Sequence, residues 1–90
     1  MTDETERLHC SVYKSLRKQD TYLYVTDEQV LERLPAGLAR LLGKLERVME
    51  LDLHPGRRLA RGDVMAVMRS LRVQGFHLQL PPVEPKLQSS

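Results

Sequence analysis

The segment Gln74–Pro82 is the part of this chain that most constrains its fold. Gly75 is placed to end a helix, because glycine readily adopts the left-handed conformation that follows a last helical turn. Phe76, Leu78 and Leu80 then alternate along a strand and share one face. Two prolines follow at once, and proline cannot donate a hydrogen bond to a neighbouring strand. The segment therefore predicts a helix, a sharp turn and a short terminal strand.

The rest of the chain divides into elements by the same reasoning. Alternating apolar residues indicate strands, and leucine or valine at helical spacing indicates helices. Asp27 is suited to cap a short helical turn, and Asp63 is suited to cap the second helix. We predict strands at 8–15, 21–25, 47–53 and 76–80, and helices at 35–42 and 64–74.

This order, β-β-α-β-α-β, predicts an α+β domain. The strands show mainly one apolar face, which favours a two-layer sandwich. We expect a four-stranded, mostly antiparallel or mixed sheet with both helices on one face. A chain of 90 residues has room for one domain, which we place at residues 8–82. Residues 1–7 are predicted to be a flexible acidic extension, and residues 83–90 a disordered tail.

Composition places the chain in the cytoplasm. No apolar run approaches the length that spans a bilayer, and the acidic start lacks the hydrophobic segment of a secretory signal. Cys10 is the only cysteine, so neither an intrachain disulfide nor a disulfide-linked partner is expected. We predict no membrane association.

Several short motifs follow one another along the sequence: Tyr13-Lys14-Ser15, Thr21-Tyr22-Leu23-Tyr24-Val25, Leu34-Pro35, Leu59 with Asp63, and Gln74 to Pro82. Together they resemble the YcgL domain family of bacterial proteins over roughly residues 9–82. The resemblance implies a small α/β domain of the bacterial cytoplasm. It implies no activity, cofactor or catalytic residue, because the family is functionally uncharacterised.

No group of residues has the pattern of a catalytic or metal site. Cys10 and His9 are neighbours in a strand and therefore point to opposite faces, which is poor geometry for a thiolate dyad. The spacings of His9, His54 and His77 do not support a metal site. Glu50 and Asp52 share one strand face, where a neighbouring cation could accompany them. We predict no catalytic residue, no metal and no cofactor.

The distribution of charge offers a candidate anion site. Residues 57–72 contain five arginines and one acid, although the net charge is only +2. Arg57, Arg58 and Arg61 precede the second helix, whose positive end favours anions. Basic residues of the first hairpin extend this candidate contact surface for RNA or another anion: Lys14, Arg17 and Lys18. A solvated surface is the simpler interpretation of these charges.

Two functions from different classes follow. The first is a non-enzymatic accessory module that binds a protein partner through an exposed sheet face or edge, with Tyr22 and Tyr24 as the candidate surface. The second is an RNA- or nucleotide-associated protein that uses the arginine group. A small enzyme ranks third, because no catalytic constellation is visible. Of these, the interaction module demands least of the residues present.

Overall fold

The computed structural model of the protein describes residues 7–59 and 63–81. It has four strands, β1 (Leu8–Ser15), β2 (Tyr22–Val25), β3 (Leu45–Leu53) and β4 (Phe76–Gln79). It has two α-helices, α1 (Ala36–Leu42) and α2 (Val64–Gln74), and a 3₁₀ helix over Glu28–Arg33. The predicted order β-β-α-β-α-β is confirmed. The predictions for residues 1–6 and 82–90 lie outside the described residues.

The four strands form one open antiparallel sheet in the order β3-β1-β2-β4. The predicted α+β class and the four-stranded antiparallel sheet are therefore confirmed. The first two strands form a hairpin at the centre of the sheet. The two long-range partners, β3 and β4, close its outer sides and form its edges.

The strand register assigns each side chain to a face, because neighbouring residues of a strand point to opposite sides. Val12 lies opposite Tyr24, and Tyr13 lies opposite Leu23. We call the face of Val12 and Tyr24 the α2 face, and the face of Tyr13 and Leu23 the α1 face, after the helices that cover them.

The α1 face is closed by α1 and the 3₁₀ helix. Leu42 of α1 and Val30 of the 3₁₀ helix pack against Tyr13, Leu23 and Val25. Partly buried apolar residues surround this cluster: Leu31, Leu34, Leu38, Leu45, Phe76 and Leu78. Phe76 and Leu78 thus share the face that their spacing predicts.

The α2 face is covered by α2. One stripe of the helix packs against Cys10, Val12, Tyr24 and Leu53 of the sheet. The stripe consists of Val64, Val67, Met68 and Leu71. These residues recur at helical spacing, as the sequence predicts.

The two helices lie on opposite faces of the sheet, which corrects the expected two-layer arrangement with both helices on one face. The reason lies in the two central strands. Both faces of β1 and β2 carry large apolar residues, such as Val12 and Tyr24 on one side and Tyr13 and Leu23 on the other. Each face must be buried, so each recruits its own helix.

The predicted helix ends agree with the structure. The Asp63 carboxylate accepts a hydrogen bond from the Met65 backbone N–H (3.0 Å), and Asp27 caps the 3₁₀ helix through Gln29 (2.8 Å). Gly75 ends α2 in the left-handed conformation, with φ of 88°. Within residues 7–59 and 63–81, no helix is long and apolar enough to cross a membrane.

Candidate functional site

The α2 face is covered by its helix at one end only. Along β3 the burial falls from Leu53, which is fully buried, to Leu51, which is half-buried, and Met49, which is 51% exposed. A cleft of about 360 Å³ lies over the uncovered part. Its lining comes from all four strands and the loop after β3: Val12, Tyr22, Tyr24, Val48, Met49, Leu51, Arg57, Arg58, Leu59 and Gln79. We call it the open cleft.

A β-bulge in β3 shapes this cleft. Val12 pairs with Met49 and Tyr13 pairs with Arg47, so Val48 is left without a partner in the ladder. Simple alternation places Val48 on the face opposite Met49, yet both side chains line the open cleft. A bulge can re-aim a side chain in this way. No single-strand pattern shows it, because it depends on the register with β1.

The two tyrosines of β2 form part of the cleft floor. Tyr22 and Tyr24 share the α2 face, as alternation predicts. Tyr22 is half-buried, whereas Tyr24 is buried and its ring meets the His77 ring edge-on at 5.9 Å. Burial raises the pKa of Tyr24 and lowers that of His77. Tyr24 therefore forms part of the packed base of the cleft, and the Tyr22 ring is more accessible to a ligand.

Arg57 and Arg58 stand at the rim of the same cleft, on the loop that follows β3. Arg58 is exposed and Arg57 is half-buried. Arg57 Nη1 donates a long hydrogen bond (3.5 Å) to the backbone carbonyl of Asp52. Its buried Nε has no hydrogen-bond partner among the described residues. Arg61, the third predicted member of this group, lies outside those residues.

The basic residues of the first hairpin are divided between the faces. Lys14 pairs with Tyr22 and so lies on the α2 face, where its Nζ is 4.0 Å from Glu46 Oε1. Arg17 instead turns to α1, and its Nη1 donates to the Arg40 carbonyl (3.1 Å). Lys18 is exposed in the turn after β1. The structure thus brings Lys14 to the arginines' face, but it does not bring Arg17 there.

The charge of the cleft arginines is only partly balanced, by the more distant Asp52, whose pKa Arg57 helps to lower. In the part of the chain described, neither Arg57 nor Arg58 has a carboxylate within 4.0 Å. The two acids of β3 that are nearest to them in sequence, Glu50 and Asp52, belong to the α1 face, where they contact His9. Glu46, farther back on β3, lies on the α2 face beside Lys14. The open cleft is therefore a largely apolar surface with two arginines at one rim that form no salt bridge among the described residues.

His9 forms a charged cluster that the sequence did not single out. Its Nδ1 lies 2.8 Å from Asp52 Oδ1, and its Nε2 lies 3.1 Å from Glu50 Oε1. The hydrogen bond with Asp52 is the main cause that raises the pKa of His9 and lowers that of Asp52. Arg47 also contacts Glu50, at 2.9 Å. Arg47 is thus a cation beside Glu50, in line with the expectation for this strand face. The contact of His9 with both acids depends on its cross-strand position opposite Asp52.

The surroundings of His9 and Cys10 limit the reactions that these side chains could support. Both ring nitrogens of His9 face carboxylates, so the imidazole has no free nitrogen with which to accept a substrate proton. Cys10 is fully buried, and burial raises the pKa of its thiol to about 11. Among the described residues, no three His, Cys, Asp or Glu side chains are grouped to hold a metal ion. The open cleft has room for a ligand, and its apolar and arginine side chains suit it to binding one.

Comparison with known proteins assigns the chain to a family. The family model described as YcgL domain matches residues 10–82. A YcgL domain-containing protein of Pseudomonas fluorescens is 47% identical over 75 residues, which are 83% of this chain and 77% of that protein. Proteins so named from Stutzerimonas stutzeri (46%; 87% and 80% of the two chains) and Pseudomonas paraeruginosa (49%; 83% and 77%) are similar. The chain therefore belongs to the YcgL domain family.

Proposed function

We propose that this chain is a non-enzymatic binding module of the bacterial cytoplasm that holds a protein partner on its open cleft. The observation that carries the proposal is the convergence of the Tyr22 and Tyr24 pair and the Arg57 and Arg58 pair on one surface. These four residues come from separate parts of the sequence. Aromatic residues and arginine are the types most enriched at the energetic centres of protein interfaces.

Exposed apolar side chains support the same function. Val48 and Met49 are 41% and 51% exposed and line the same cleft as Tyr22. A patch of this kind with a charged rim is typical of an interaction surface. Among the described residues that line it there is no carboxylate, histidine, cysteine or lysine side chain, the groups that most often transfer a proton or attack a substrate.

RNA or nucleotide association is the second candidate function. It draws on Arg57 and Arg58, which have no carboxylate within 4.0 Å in the described residues. Tyr22 could stack on one base, but the buried Tyr24 has little ring surface to offer. The protein partner is therefore the better-supported ligand.

Site-specific photocrosslinking in bacterial cells tests the proposal. A photoreactive phenylalanine replaces Met49 in the cleft, and in a matched control it replaces Met65, which is similarly exposed (45%) on α2. We expect discrete protein adducts from position 49 and none from position 65. Nuclease-sensitive adducts from position 49 would favour the RNA function. Adducts of equal intensity at both positions, or none at position 49, would contradict the proposal.

A further inference from the structure

We infer that the open cleft is built for an acidic, extended segment of the partner protein, with carboxylates at Arg57 and Arg58 and an apolar side chain on Val48 and Met49. The inference rests on the proposed function and adds the chemistry of the ligand. Its first support is charge. Two arginines stand at one rim without a carboxylate within 4.0 Å among the described residues, so an acidic ligand would have complementary charge there.

The hydrogen-bonding state of Arg57 supports an oxygen ligand. A guanidinium has five N–H donors. In the described part of the chain, Arg57 uses one in a 3.5 Å bond to the Asp52 carbonyl, while the buried Nε has no partner. The buried Nε is out of reach of a ligand in the cleft, so the Nη N–H groups that are not bonded to Asp52 are the donors available to one. A carboxylate has the planar geometry to accept two guanidinium N–H groups at once.

The direction of the neighbouring acids makes the cleft accessible to an anion. Glu50 and Asp52 lie close to Arg57 in sequence, but their carboxylates contact His9 on the α1 face. The β3 residues that line the cleft are Val48, Met49 and Leu51, all apolar. An acidic ligand on the α2 face therefore meets the arginines without facing these two carboxylates.

The shape and lining favour a peptide segment over a nucleic acid. The cleft crosses four strands, a width of about 14 Å from the usual strand spacing. Roughly four extended residues span that width. The floor offers mainly aliphatic side chains, and Tyr24 is buried. This surface fits an apolar anchor between acidic residues better than a row of stacked bases.

Fluorescence anisotropy with defined probes tests the inference. The probes are a labelled octapeptide of alternating glutamate and leucine, its lysine-leucine counterpart and a short single-stranded RNA. The test variant is Arg57→Glu with Arg58→Glu, and the control is Arg69→Glu with Arg72→Glu, which changes net charge equally on exposed positions of α2. Circular dichroism verifies folding, and Arg58→Glu alone replaces the double variant if that variant does not fold.

We expect the wild-type protein to prefer the acidic peptide. The test variant should lose at least about tenfold in affinity, and the control variant should retain it. Because the rim charge is reversed, the test variant should gain binding of the lysine-leucine peptide. Added salt should weaken the wild-type interaction.

Four results would overturn the inference. The first is equal binding of both peptides to the wild-type protein. The second is an equal loss in the control variant, and the third is tighter binding of RNA that depends on Arg57 and Arg58. Protein adducts from position 49 combined with no binding of the acidic peptide would overturn the acidic ligand while leaving the binding module intact. Absence of both would reject the proposed function as well.

Discussion

The two faces of the sheet are closed to different extents. On the α1 face, α1 and the 3₁₀ helix bury Tyr13, Leu23 and Val25. On the α2 face, one helix covers the end that carries Cys10 and Leu53, while the end that carries Met49 remains open. The same sheet thus shows apolar residues that build a core beside apolar residues that remain available to a ligand. An apolar strand pattern alone therefore does not distinguish residues that stabilise the fold from residues that are available to bind a ligand.

Replacing a buried leucine should lower the free energy of unfolding far more than replacing an exposed methionine. Leu23→Ala empties a fully buried position of the α1 face, and such substitutions cost about 2–5 kcal/mol of unfolding free energy. Met49→Ala should cost about 1 kcal/mol or less, because half of the side chain is already in solvent. Urea unfolding measures both. Equal losses would contradict the assignment of Met49 to an open surface.

A smaller loss of stability is expected when Gly75, which joins α2 to β4, is replaced by alanine. Its carbonyl accepts a hydrogen bond from the Thr26 backbone N–H (3.1 Å), and an added Cβ would lie 3.2 Å from Val30 Cγ2. Gly75→Ala also forces alanine into the left-handed region, so it should cost about 1–2 kcal/mol.

Gly37→Ala is the matched control for Gly75→Ala. Gly37 lies in α1, its φ is not positive and an added Cβ has open space. The substitution should stabilise the fold by about 0.5–1 kcal/mol, because alanine favours the helix and restricts the unfolded chain. Differential scanning calorimetry would compare both variants. A neutral Gly75→Ala would contradict the strained role of that position.

The smallest effect concerns how the stability of the fold depends on pH. His9 on the α1 face and His77 on the α2 face should contribute to this dependence with opposite signs. The pKa of His9 is raised above 6.5, chiefly by its hydrogen bond to Asp52, so its stabilising contribution is complete below pH 6.5 and lost as the pH rises through the raised value. Burial lowers the pKa of His77, so folding is disfavoured as the pH falls below 6.5, where the unfolded state binds the proton more tightly.

Ring-proton NMR titration measures the two values directly. His9→Gln should weaken the fold mainly at low pH, and His77→Gln should make it less sensitive to acid. If the pKa values of both histidines were shifted in the same direction, the opposite pH dependence of the two faces would be contradicted.

The sequence predicted the local structure well, because its signals are local. Asp27, Asp63 and Gly75 mark helix ends through their own hydrogen bonds and backbone preferences, and the structure confirms all three. The placement of the helices was not predictable in this way. The placement depends on Val12 packing against α2 on one face and Tyr13 packing against α1 and the 3₁₀ helix on the other. These contacts exist only once the sheet has assembled.

The candidate site was predictable only in parts. Tyr22, Tyr24, Arg57 and Arg58 were singled out as two separate groups, and the fold places them in one cleft. Val48 was not identified, because its direction depends on a bulge between β3 and β1. His9 was missed as a partner of Asp52 because the two residues are 43 positions apart and meet only through strand pairing.

The most direct test of the central claim is a methionine methyl NMR titration of the protein with the glutamate-leucine peptide. Met49 lies in the open cleft, Met65 is similarly exposed on α2, and Met68 is buried against the sheet. We expect the Met49 methyl resonance to shift on binding while those of Met65 and Met68 stay in place. A peptide that shifts Met65 and leaves Met49 unchanged would contradict the claim that the open cleft is the binding surface.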